Sequence, residues 1–335
     1  MKRNVYLLEG REATGVSHTG VWIKDLVLEV MDWIGRERFS GATSDSTGST
    51  HLCKKLLVEE VKTVIPNPDI CHYISNLIKD VVRIDFFEAT IKVVRGTIHF
   101  FHTSHMGIHE FKIARSDLNI SRGLQAVGKT RFGTIIYSSK SVQRCTPAIQ
   151  KVIERGKADF SKLADYFGAP NKSSGIHSIK ALSFQSNLSQ LVSVGTPATK
   201  SLACLESNDA NAGDVCLFWH ATIGEMIKII SDEENHFPND VCEELLDIIH
   251  HRHNNLFVEG GTYYTPLYLA AAYLNPGALP YFLTQSILTL MIILIPISQS
   301  SERRLQIRTS RKVFTRCPVP FRSQVCKYVP WRTCC

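Results

Sequence analysis

The sequence predicts an α/β half followed by a mostly helical half. Two observations carry that expectation. Over the first 63 residues, short apolar stretches of strand type alternate with amphipathic helical ones, the pattern of helices laid on a sheet. From Ile74 onward, apolar residues recur at helical spacing between polar loops, and helices dominate.

Residues 4–9 read as the first strand, around Val5-Tyr6-Leu7-Leu8. Ser17-His18-Thr19 then precedes an amphipathic helix to about Ile34, in which Val21, Trp22, Leu26, Val30 and Trp33 share one face. Phe39–Ser44 reads as a second strand, ending on Asp45, and a helix over 47–63 follows. Pro66-Asn67-Pro68 reads as a chain break, because proline has no N–H to give a ladder or helix. Helices are expected over 74–82, 85–103 and about 104–118. Gly128-Lys129-Thr130-Arg131-Phe132-Gly133 leads into another, about 134–154. Beyond Gly156 come helices over 182–206, 215–231 and 239–251, joined by polar loops such as Ser207–Gly213. The chain shows no internal repeat and no low-complexity tract.

The net charge of +7 is unevenly placed. From Ser301 to Cys335 there are nine Lys or Arg and one Glu, a net of +8, so residues 1–300 sum to −1. The body of the chain is therefore not a basic DNA clamp by composition, and any phosphate affinity there rests on local patches. The ten cysteines form no paired C-x-x-C blocks, and the first six, Cys53 to Cys242, read as reduced thiols within packed helices. Met1-Lys2-Arg3-Asn4 runs into Val5 without an apolar leader, so an intracellular, reducing compartment is expected.

Between Glu259 and Glu302 no residue is charged, and Tyr281–Ser298 is a nearly continuous apolar run of membrane-spanning length. One reading is a membrane anchor followed by a cytoplasmic basic tail. The reading ranked above it is a non-native or buried C-terminal segment, with residues 278–335 not part of the domain.

Asp45 is the first candidate site residue. At the tip of a strand, its carboxylate is placed to meet a metal or a phosphate. Ser44, Asp45 and Ser46 also have the short oxygen-bearing side chains that cap a helix, and both readings stand at this point. Lys129 and Arg131, with Lys140 and Arg144 in the following helix, make the best local basic patch, since arginine's forked donors suit phosphate oxygens. His99, His102, His105 and His109 fall three, three and four residues apart, along one side of a continuous helix. The intervening Phe100, Phe101 and Met106 favour packing over zinc there, and Thr103-Ser104 interrupts the stretch. Adjacent Cys71-His72 favours helix capping or packing, and His250-His251-Arg252-His253 reads as a helix end whose dipole favours positive side chains.

Several segments, in order, carry a resemblance to one family. Tyr6-Leu7-Leu8-Glu9 with Ser17-His18-Thr19 and Trp22-Ile23 looks like the stretch before its second catalytic strand. Thr43-Ser44-Asp45-Ser46-Thr47-Gly48-Ser49 is similar to its threonine-aspartate-asparagine block, and Lys129-Thr130-Arg131-Phe132-Gly133 to its threonine-arginine-tryptophan motif, with Phe132 in place of tryptophan. Tyr268-Leu269 through Pro276 resembles the tyrosine-leucine to proline motif after its helical insertion. Over roughly residues 4–277 the chain thus resembles the hAT-type DNA transposases and their fungal relatives that carry a domain of unknown function.

The resemblance implies an incomplete RNase H-like core over residues 1–140, a helical insertion domain over 141–277, and an apolar segment with a basic tail over 278–335. It implies a nuclear, DNA-associated protein of transposon descent. Such transposases use two aspartates and a glutamate to hold two divalent metals, and Mg²⁺ suits such hard oxygen ligands. Asp45 matches the second acid and is the implied catalytic and metal-binding residue. Lys129, Arg131 and Phe132 match the family's DNA-proximal motif. The first acid belongs to an earlier strand than any read here, one that sits centrally in the fold. The third would fall near Glu302, which has no family context. One carboxylate of three cannot form a two-metal site, so the expectation is a catalytically inactive protein with residual DNA association or none. Partners to consider are DNA, a second copy and, through 281–298, a membrane. The competing expectations are an active metal-dependent nuclease and a membrane-anchored interaction protein.

Overall fold

A computed structural model describes residues 6–45, 47–128, 133–168 and 178–275. Lys129, Arg131, Phe132, the apolar run 281–298, Glu302 and the tail cysteines lie outside the described residues. The chain is mostly helical with a small two-stranded parallel sheet, a mixed α/β arrangement. Among the described residues no helix is long and apolar enough to cross a membrane. Two compact units divide the chain. The first takes in the described residues up to Ile74, Ser201–Ala221 and those from Ile249 onward, and the second Ser75–Lys200 and Thr222–Ile248.

In the first unit, α1 (Gly20–Ile34) begins where the Thr19 hydroxyl accepts a hydrogen bond from the Trp22 N–H at 3.2 Å, satisfying one of the free N–H groups of the first turn. Its Leu28 and Met31 are buried against Leu57, Val61 and Val64, with Phe39 and Ala42 packed beside them. Helix α2 (Gly48–Glu60) is capped by Thr47. Gly20 lets the two helices approach, since a Cβ there would stand 2.7 Å from Leu52 Cβ and 2.8 Å from the Ser49 carbonyl.

Strand β1 (Gly41–Ser44) pairs in parallel with β2 (Ile65–Pro68), in a register running from Gly41 opposite Ile65 to Ser44 opposite Pro68. Helix α2 is the crossover that parallel pairing requires. The prolines expected to break the chain thus belong to a strand. The Ile65 N–H donates to the Ser40 carbonyl at 3.0 Å, so Ile65 and Asn67 face β1 while Pro66 and Pro68 face away, where a missing N–H costs no ladder bond. By the same alternation, Gly41 and Thr43 turn their backbone groups to the other edge. The strand expected over 4–9 does not form among its described residues: Tyr6–Glu9 runs outside the sheet, with Tyr6, Leu7 and Leu8 exposed.

The rest of this unit includes the start of α3 (Ile70–Val82), parts of α9 (Ala212–Ser231) and α10 (Asn239–Phe257), and the whole of α11 (Leu267–Tyr273). Tyr73 lies with its ring centroid 5.6 Å from that of Trp219 and 5.1 Å from that of Tyr263, and its hydroxyl donates to the Arg252 carbonyl at 2.6 Å.

The second unit is helical. Its α4 (Asp85–Thr103), α5 (His105–Asp117) and α6 (Gly133–Arg155) are followed by the single turn α7 (Ser161–Ala164) and by part of α8 (Ile179–Leu205). The domain boundary expected at residue 140 falls inside α6. Phe100, Phe101, Phe111, Phe160, Phe167 and Phe184 form a continuous chain of ring contacts through its core. The buried Glu110 carboxylate is met by Arg155 at 3.3 Å, and Arg155 also donates to Asp117 at 2.6 Å.

Candidate functional site

The carboxyl ends of β1 and β2 lie side by side, the place where open α/β sheets bind ligands. An aspartate follows each strand: Asp45 after Ser44, and Asp69 after Pro68. Beneath them lies Lys54. The α2 backbone carries this side chain into the unit, leaving it 8% exposed, and its Nζ donates to the Ser44 carbonyl at 3.4 Å and the Asn67 carbonyl at 3.2 Å. One ammonium thus bridges the two strand ends. Burial lowers its pKa, and the charges of Asp45 and Asp69 act in the opposite direction. The phenol of Tyr268 donates to the Pro68 carbonyl at 2.7 Å, which brings the first residue of the tyrosine-leucine motif to the same edge. Burial first, and the Asp69 charge second, hold that phenol well above its ordinary pKa.

Asp45 is exposed, and its carboxylate faces the first turn of α2. Its Oδ1 lies 2.9 Å from the Thr50 hydroxyl and 3.4 Å from that of Thr47. Thr50 has one proton to give, and the Asp45 carbonyl, at 2.8 Å, competes for it. Thr47 rather than Asp45 caps the helix directly, accepting from the Thr50 N–H at 3.4 Å. Asp69 accepts from the His72 N–H at 3.0 Å and so caps α3; this gives the Cys71-His72 pair its place in a helix start.

The residues at this tip do not fit a two-metal centre. Each aspartate offers an oxygen already engaged with a helix start, and the cation across the strand ends is an ammonium. Among the described residues, no three His, Cys, Asp or Glu side chains come together in a way that could hold a metal ion. His99 and His102 lie on α4 and His105 and His109 on α5, separated by Ser104, whose hydroxyl accepts from the Gly107 N–H at 3.1 Å; all four histidines are exposed. Arg144 donates to the Gly123 carbonyl at 2.9 Å, so it holds the loop ahead of α6, while Lys140 is exposed.

A second cluster of titratable side chains lies buried in the first unit. The expected helix end at His251 is overrun, since α10 continues to Phe257 and places His253 in the core. The Trp219 indole N–H donates to His253 Nδ1 at 3.3 Å, and burial, with His220 and His250 nearby, lowers that imidazole's pKa to about 3. His220 lies 2.8 Å through Nδ1 from the Cys216 carbonyl, and burial lowers its pKa as well. The Cys216 thiol, 3.5 Å from the same nitrogen, is pushed up to about 12. Burial thus disfavours the thiolate–imidazolium pair on which an activated cysteine depends, and both side chains pack in the core of the unit.

The places of Lys54 and Asp69 at the strand tip and the burial of His253 were missed by the sequence reading. Spacing signals for two of them exist. Lys54, Leu57 and Val61 follow one helical face, as do Leu245, Ile249, His253 and Leu256, and all seven are buried. Comparison of the chain with family models, with curated proteins and with solved structures found no match.

Proposed function

We propose that this chain is a transposase-derived protein of the hAT type, with its two parallel strands part of an RNase H-like core, and that its strand-tip site is catalytically inactive. Association with DNA in the nucleus is the function left to it, with Lys129, Arg131 and Phe132 as the contact residues implied by their motif. The ordered set of motifs supports the descent. The observation that carries the loss of activity is Lys54: its ammonium spans the Ser44 and Asn67 carbonyls at 3.4 and 3.2 Å, at the tip where a Mg²⁺ pair would need converging carboxylates. A divalent cation placed beside that charge meets repulsion rather than a vacancy.

One observation favours the competing reading of an active metal-dependent nuclease, namely that Asp45 and Asp69 follow adjacent strands in matched register. A strand-cleavage assay with supercoiled DNA and Mg²⁺ or Mn²⁺ separates the two. The expected result is no metal-dependent nicking by the native chain. DNA binding is expected to weaken steeply with salt and to fall about tenfold in a Lys129→Ala/Arg131→Ala double variant, a loss of roughly 1.4 kcal/mol. Nicking by the native chain that disappears in Asp45→Asn overturns the proposal.

A further inference from the structure

Helix α4 turns its apolar side inward, where Phe87, Val93, Val94, Ile98 and Phe101 are buried. Its opposite side carries Lys92, Arg95, His99 and His102, all exposed and three, four and three residues apart. That spacing sets them in one stripe along the helix, about 15 Å long at the rise of an α-helix. After Ser104 the pattern resumes on α5, where His105, His109 and Lys112 fall four and three residues apart and are likewise exposed. Both helices belong to the second unit, and they pack through Phe101 and Phe111, with ring centroids 4.7 Å apart.

The two stripes are short of acid. A solvated helix face ordinarily interleaves carboxylates with its cations, because opposite charges three or four residues apart stabilise a helix. Between Ala89 and His109 there is no Asp or Glu. Glu110, the next acid, is 2% exposed and meets Arg155 of α6, so it neutralises nothing on the outer face. Asp85 and Glu88 lie in the first turn of α4, where the helix dipole favours them; Glu88 stands in line with the stripe, one turn before Lys92. Even so, Lys92, Arg95 and Lys112 take part in no ion pair among the described residues. On the neighbouring α6, by contrast, Lys151 and Arg155 each meet Asp117, at 2.8 and 2.6 Å.

We propose that the α4 and α5 stripes are a contact surface for the phosphate backbone of duplex DNA. The proposal rests on the DNA association put forward for this chain and gives it a second surface, apart in sequence from the motif at Lys129 and Arg131. Unpaired Lys and Arg side chains release counterions when they meet phosphates, a gain that needs no base sequence. Between them, the histidine N–H groups are donors for phosphate oxygens. An anionic membrane presents phosphates too, but a helix that lies in a membrane surface buries its apolar face in lipid. In α4 that face is already spent on the core.

The test is fluorescence anisotropy of a labelled DNA duplex titrated with the full chain over a series of salt concentrations. The main variant is Lys92→Ala/Arg95→Ala/Lys112→Ala. Alanine is the strongest helix former, so exposed helix positions accept it without loss of fold, and circular dichroism checks this. The triple variant is expected to bind at least about tenfold more weakly, and to lower the slope of log affinity against log salt by about 3, one for each phosphate contact removed. Lys180→Ala, which removes an exposed lysine already paired with Asp165 at 3.2 Å, is expected to leave binding unchanged. Affinity and salt slope unmoved in the triple variant overturn the proposal; if Lys129→Ala/Arg131→Ala then abolishes binding, DNA association survives without these stripes. A native chain with no affinity for the duplex overturns both readings. A triple variant that keeps its DNA affinity but loses binding to phosphatidylserine–phosphatidylcholine vesicles overturns this one in favour of a membrane surface.

Discussion

Lys54 and His253 are both bases folded into the interior of the first unit, and their surroundings treat them in opposite ways. Around Lys54, two strand-end carbonyls accept its protons and two aspartates follow those strands. Around His253, an indole N–H points at the ring nitrogen and demands its lone pair, while the charge it would carry has His220 and His250 for neighbours. Burial opposes the charge at both positions. What differs is whether the neighbours are acceptors or donors, and that decides which region retains an electrostatic character suited to a ligand. The strand tip keeps it; the histidine cluster does not.

The sharpest way to break this comparison is Trp219→Ala, which removes a fully buried ring and the donor to His253 together. Large-to-small changes of this kind cost about 3–5 kcal/mol, measurable by urea denaturation, and the His253 pKa should rise towards its ordinary 6.5 in an NMR titration of any variant that still folds. A loss below about 1 kcal/mol, with His253 unmoved, shows that the indole is not what keeps the imidazole neutral.

Acid comes next. The His253 pKa is lowered from 6.5 to about 3 on folding, so between those values the unfolded chain binds a proton that the folded chain refuses. Stability is therefore full above pH 6.5 and falls as pH drops towards 3, by up to ~1.4 kcal/mol per pH unit from this group. Denaturation midpoints at successive pH values, with His253→Gln as the flattened reference, test the sign.

The smallest effect belongs to the strand tip. Lys54→Met keeps the aliphatic stem and removes the ammonium, leaving the Ser44 and Asn67 carbonyls without that donor. The expected cost is about 1–3 kcal/mol, read from the shift in denaturation midpoint. A more stable Lys54→Met variant shows instead that the desolvated charge is a burden, and that the two regions differ less than their hydrogen bonds imply.

The helices were legible because each carries one apolar face and its own end signals. Residues 85–103 form α4 with the bounds expected, and Thr19, Thr47 and Ser104 cap where a short hydroxyl precedes an apolar run. The strands were legible only where a local pattern coincided with a partner. Phe39–Ser44 found one, whereas Tyr6–Glu9 has equal strand character and none among the described residues. The prolines of β2 disguised it, since their tolerance at an outward edge position depends on which neighbour the strand has, something no local reading supplies. Asp45 was visible from its motif and from its place after a strand. Asp69 was not, because the strand before it was read as a break. Lys54 and His253 lay hidden behind the habit of assigning charged and polar residues to the solvent, although their helical spacing places both on buried faces.

The paired prolines of β2 also bear on solution behaviour beyond folding. A polymer grows when each monomer carries two reactive ends; with one end stopped, condensation halts after a single step. Pro66 and Pro68 act as such a stopper on the outward edge of β2, so among the described residues this sheet can add strands on the β1 side alone and does not propagate edge to edge.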